Sequence, residues 1–200
     1  MRYAAPSSRA AAPLALALSL LPSFAYAHVG VGATAGWAAG LSHPLSGLDH
    51  VCAAMGVGLL AARSDDRRVW LLPSTFVLAM AVGMVLASRG VAFPLAAGGV
   101  TLSVAALGLM VSCAAAIAVP HLAQVAIVAA FALCHGHVHG TEIPYGNPGV
   151  AYGAGLVIAT ALLHATGIVI GRLPAHHRGI SLAHVVGVAM TLYGLQLLAG

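Results

Sequence analysis

Lysine is absent from this 200-residue chain, and carboxylates nearly so: Asp49, Asp65, Asp66 and Glu142 are the four acids. Only 6% of the residues are charged, where a soluble domain carries about 25%. That scarcity excludes an ordinary water-facing globular surface. The eight basic residues are all arginines, single or in short loops, and no basic run with interleaved aromatics appears. The pI near 9.4 therefore does not mark a nucleic-acid partner. Cys52, Cys113 and Cys134 lie scattered in apolar segments with no C-x-x-C pair, the pattern of small buried residues rather than a disulfide framework. What is present is apolar: 60% hydrophobic residues and a mean hydropathy of +0.99, the composition of a protein in a lipid bilayer. Against four acids stand eleven histidines, and neutral imidazole is both a metal ligand and a proton carrier.

Residues 1–27 read as a secretory signal peptide. Arg2 and Arg9 give a positive start, AAAPLALALSLL (10–21) is an apolar core too short to span, and Ala25-Tyr26-Ala27 fits an A-x-A cleavage site. Cleavage there makes His28 the mature N-terminus; an uncleaved first helix is the alternative. A spanning helix needs about 20 apolar residues, and six candidates follow: 31–62, 69–89, 93–118, 121–141, 149–171 and 179–199. Pro44 and Gly47 interrupt the long first one. The separators are too short for a soluble domain, so the expectation is an all-α, six-helix transmembrane bundle forming one domain over 28–200. A cleaved signal leaves His28 in the periplasm and puts loops 63–68, 119–121 and 172–179 in the cytoplasm. Those loops hold Arg63, Arg67, Arg68, Arg172 and Arg178 against Arg89 alone outside, in keeping with the positive-inside rule for a bacterial inner membrane.

Two clusters carry the chemistry. In SHPLSGLDH (42–50), His43 and His50 are seven residues apart, about 700° around a helix, and so return to nearly one face, with Asp49 on its flank. An acid within a spanning segment costs about 2.5–3.5 kcal/mol on insertion scales and needs a partner or an ion. A structural Asp–His hydrogen bond is the bland alternative. In LCHGHVHGTE (133–142), His135 and His139 are i, i+4 and Glu142 is i+3 from His139, one stripe on a continuous helix. His137 points roughly 200° away from His135 and falls outside it. Four imidazoles and two carboxylates without a thiolate suit a borderline divalent ion such as nickel, cobalt or zinc. Two negative charges against a divalent cation leave a neutral site, which lowers the cost of burial.

Other histidines carry less. His164, in TALLHATG, sits mid-membrane as a further ligand, a proton relay or a helix–helix hydrogen bond. His184 reads as structural, and His121, His176 and His177 as solvated loop residues. His28, if terminal, offers amine and imidazole together at the outer mouth. The first and fourth helices carry the clusters, and each opens a set of three, which is the pattern of two inverted three-helix halves.

At these motifs the chain resembles the HupE/UreJ family of nickel permeases and hydrogenase/urease accessory proteins. His43-x5-Asp49-His50 matches that family's H-x5-D-H motif in full. His135-Gly136-x-x-His139-Gly140-x-Glu142 matches its F-H-G-x-A-H-G-x-E motif, with Cys134 in place of Phe and Val138 in place of Ala. The resemblance covers the whole mature chain in helix number and length. It implies a permease domain importing Ni2+, in some relatives Co2+, with no permanently bound cofactor, though Zn2+ fits the same donors. It implies His43, Asp49, His50, His135, His139 and Glu142 as the functional residues. It also implies an indirect link to hydrogenase, urease or cobalamin metal delivery. The competing class is an enzyme, an intramembrane zinc-dependent hydrolase of a lipid or peptide amide with Glu142 as base, but no H-E-x-x-H signature accompanies it.

Overall fold

The computed structural model describes residues 33–114, 116–143, 149–174 and 181–200. The expected signal peptide (1–27), His28, His176, His177 and Arg178 lie outside the described residues. Seven helices make up the described fold: α1 (Ala33–Ser46), α2 (Leu48–Ala61), α3 (Leu71–Ser88), α4 (Ala96–Cys113), α5 (His121–Thr141), α6 (Gly149–Gly171) and α7 (Leu182–Ala199). Helices α3 to α7 are each long and apolar enough to cross a membrane. The chain is thus a multi-pass helical membrane protein.

In the long first candidate, 31–62, the interruption expected at Pro44 and Gly47 is a sharp bend. The segment forms a pair of helices bent by 84° at Gly47. Pro44 lies inside α1 and brings no backbone N–H to bond the preceding turn. Gly47 then adopts an extended conformation (φ −116°, ψ 118°) from which α2 restarts. Asp49 stands in the first turn of α2, where an acid faces the positive end of the helix dipole. Its Oδ1 accepts the His50 backbone N–H at 2.9 Å, an amide of the first turn that also reaches the Gly47 carbonyl at 3.1 Å. The other breaks follow ordinary signals: Pro120 precedes α5, and the Ser181 side chain caps α7 by accepting the His184 N–H at 3.1 Å.

Three pairings dominate the packing: α3 with α5, α4 with α7, and α6 with both α1 and α2. In lipid, helices associate through close backbone approach rather than hydrophobic exclusion. At Gly136 of α5, a methyl group would collide with the Met80 carbonyl of α3. At Gly167 of α6, it would collide with the Met55 carbonyl of α2. Between these seams lies a core including Val57, Leu59, Phe76, Met80, Leu107 and Tyr152. Leu78, Leu122 and Val150 point outward, on surfaces that lipid would cover. A hydrogen bond of 2.7 Å from Arg172 to Asp66 ties the end of α6 to the α2–α3 loop.

Candidate metal centre

The bend at Gly47 decides where the first motif goes. His43 lies in α1 and His50 in α2, so the same-face argument for one continuous helix does not apply. The 84° turn itself aims both imidazoles at the end of α5. Glu142 is likewise just past the helix, at the C-cap of α5. Its half-exposed carboxylate reaches His43 Nε2 at 3.0 Å.

Two groups of donors result, with ligand atoms within 4.8 Å of one another in each. One is buried: His50, His135 and His139. The other opens outward: His43, His139 and Glu142. His139 belongs to both. The ring centroids trace the same arrangement, His50 lying 4.4 Å from His139 and 5.0 Å from His135, and His43 lying 5.0 Å from His139.

Hydrogen bonds around the rings fix which nitrogens are free. Asp49 Oδ1 lies 2.9 Å from His50 Nδ1 and accepts its proton. His50 Nε2 is buried and without a hydrogen-bond partner among the described residues. On the other side, the Ser103 hydroxyl of α4 donates to the Val100 carbonyl at 2.6 Å. It is therefore an acceptor for His135 Nε2–H at 2.9 Å, which leaves Nδ1 as the lone-pair nitrogen of His135. His139 Nδ1 is also buried and unpartnered among the described residues. Such outer partners set tautomer and ring direction in metal sites. Asp49 thus stands behind His50 rather than in either donor group.

His137 is buried on the far side of α5. Its Nε2–H donates to the Val91 carbonyl at 2.8 Å and its ring meets Phe93 at 5.6 Å, so it holds the α3–α4 loop. His184 contacts the Ser112 carbonyl at 3.0 Å, near the opposite end of the bundle. His164 is fully buried in α6, apart from both donor groups. The Cys134 sulfur packs on Gly99 of α4, at a helix contact and not among the donors.

The chain matches the HupE / UreJ protein family over residues 16–197. This protein is a member of the HupE/UreJ family. It is also 44% identical to Protein HupE of Rhizobium leguminosarum bv. viciae, over 92% of this chain and 95% of that relative. No solved structure matches it. Both HupE/UreJ motifs named from the sequence converge on one end of the bundle, although 99 residues separate His43 from Glu142.

Sequence reading missed two neighbours of this centre in the HupE/UreJ chain. Ser103 is one of two serines in the apolar helix α4, and only the folded contact shows it against His135. Phe76, in α3, places its ring 5.6 Å from His135 and 5.2 Å from His164. An apolar helix offers no periodic signal that would single out one phenylalanine.

Proposed function

We propose that this protein is a secondary permease of the bacterial inner membrane that carries a divalent transition metal ion, Ni2+ foremost and Co2+ next, from periplasm to cytoplasm. The observation that supports it is the convergence of both motifs on two donor groups sharing His139, one open and one buried. In this reading Glu142 and His43 receive the hydrated ion at the periplasmic mouth. The ion then exchanges Glu142 and His43 for His50 and His135 while His139 stays in contact. Asp49 and Glu142 balance its charge, and imidazoles replace its water. Incomplete donor sets of three suit an ion that must leave, since closed four-ligand cages are the structural sites.

The bent pair α1–α2 serves as one broken span, which makes six. Irregular backbone at membrane depth is tolerated where it lines a cavity. Two inverted halves fit the packing, because exchanging α1–α2 with α5 and α3 with α6 turns the α3–α5 pairing into the α6 to α1–α2 one, with α4–α7 on the axis. The cleaved signal, a periplasmic His28 and a ligand role for it belong to the same reading. Nothing in the family assignment favours the hydrolase alternative.

The test is uptake of radiolabelled Ni2+ by cells expressing Asp49→Asn or His139→Ala at unchanged protein levels, with Co2+ and Zn2+ as competitors. Both variants are expected to lose most uptake; wild-type rates in both would sink the assignment of the site.

A further inference from the structure

Six polar side chains are buried among the described residues: Ser103, His135, His137, His139, Thr160 and His164. The metal centre and the α3–α4 loop use the first four. Thr160 and His164 remain, one turn apart on one face of α6. His164 is fully buried, and neither ring nitrogen has a hydrogen-bond partner among the described residues. An unpaired buried polar group costs about 1–3 kcal/mol. A leucine or phenylalanine would fill the space without that cost.

Across from them stand Phe76 and Met80 of α3, also one turn apart and buried. The Phe76 ring is 5.2 Å from His164 and 5.6 Å from His135. The Thr160 hydroxyl approaches Met80 Sδ at 4.0 Å. One aromatic ring therefore separates the buried donor group from His164. The beginning of α6 lies at the outer donor group, where Tyr152 meets His43 at 5.7 Å. His164 lies further along the helix, toward its other end. There Gly171 lines a cleft of about 150 Å³ with Leu59, Ser112 and His184. Seven residues of helix, about 10 Å, separate His164 from Gly171.

We propose that His164, with the Thr160 hydroxyl and the Met80 thioether beside it, is a second and weaker stop for the divalent ion, between the shared centre and that cleft. The inference rests on the transport reading and adds the next position on the route. Its donors are neutral nitrogen, oxygen and sulfur with no carboxylate, so it holds a divalent cation less firmly than the centre with Asp49 and Glu142. A second, weaker position is what conduction between adjacent sites needs. The face of the Phe76 ring attracts a passing cation without ligating it.

Two substitutions separate a donor role from a packing role. His164→Phe keeps a ring against Phe76 and removes both nitrogens; His164→Cys removes the ring and supplies a new metal donor. Purified full-length protein is placed in proteoliposomes, and radiolabelled Ni2+ uptake is measured beside equilibrium Ni2+ binding. His164→Phe is expected to slow uptake about ten-fold or more while binding at the outer centre stays within about two-fold. His164→Cys is expected to recover part of the uptake and to become sensitive to Cd2+ beyond the unsubstituted protein, whose own cysteines set the background. Normal uptake by His164→Phe, or uptake by His164→Cys no better than by His164→Phe at equal folded yield, overturns the proposal. Equal loss of binding and uptake in His164→Phe does so too, since it marks a structural role. A wild-type protein that moves no Ni2+ or Co2+ overturns the transport reading itself, a result distinct from a transporting protein indifferent to His164→Phe.

Discussion

A neutral imidazole offers a metal only the nitrogen that carries no proton, so the partner of its other nitrogen decides how the ligand faces. Asp49 makes that choice for His50, and Ser103 makes it for His135. Ser103→Ala leaves the His135 Nε2–H without an acceptor in a buried place. Metal affinity should fall about 10–100-fold, the usual result of losing an outer partner; isothermal titration with Ni2+ reads it, and unchanged affinity would show that Ser103 does not orient the ring. His137 supplies the contrast two residues from each neighbour in sequence. His137→Ala removes a part-buried hydrogen bond to Val91 and is expected to cost about 1 kcal/mol of stability with Ni2+ uptake retained. Thermal unfolding and uptake, measured on the same preparation, check both halves of that statement.

At the scale of elements, the helix break matters more than any single helix. A methyl group placed on Gly47 would lie 2.6 Å from Asp49 Oδ1 and 3.0 Å from His50 Nδ1. Its backbone angles suit any residue, so space, not conformation, demands glycine here. Gly47→Ala should therefore weaken Ni2+ binding, by about ten-fold as for other losses of ligand orientation, with little change in unfolding temperature. Wild-type affinity in that variant would mean that the Asp49–His50 pair shifts freely.

Much of this was legible in the sequence. Candidates 121–141 and 149–171 coincide with α5 and α6, because long apolar runs with Pro and Gly at their ends state their own limits. Spacing also divided His137 from His135 and His139. The shape of the α1–α2 pair was not legible: Pro44 and Gly47 announce an interruption, but its angle depends on how α1 and α2 dock on α6. Ser103 and Phe76 were out of reach for the same reason. Each acquires its role from a helix elsewhere in the chain.

For the whole molecule, the short loops and their arginines make an orientation that can be checked directly. The 63–68 loop lies at the end of the bundle away from the donor groups, and the transport reading puts it in the cytoplasm. Ser64→Cys, placed in a chain with Cys52, Cys113 and Cys134 replaced by alanine, should react with a membrane-impermeant maleimide only in inside-out vesicles. Labelling of intact spheroplasts would reverse the orientation and, with it, the direction of entry.

One ligand serving two donor groups has an arithmetic consequence for the traffic through them. An ion seated with His43 and Glu142 removes His139 from the group of His50 and His135, and an ion seated deeper withholds it from the mouth. In the transport reading the entrance and the buried seat are thus mutually exclusive, and the pair counts as a single berth. Arrivals must queue behind departures, as at a turnstile that passes one traveller per rotation. In the transport reading, raising the outside concentration fills that berth with one ion at a time, and the next enters only once the first has moved on toward His164.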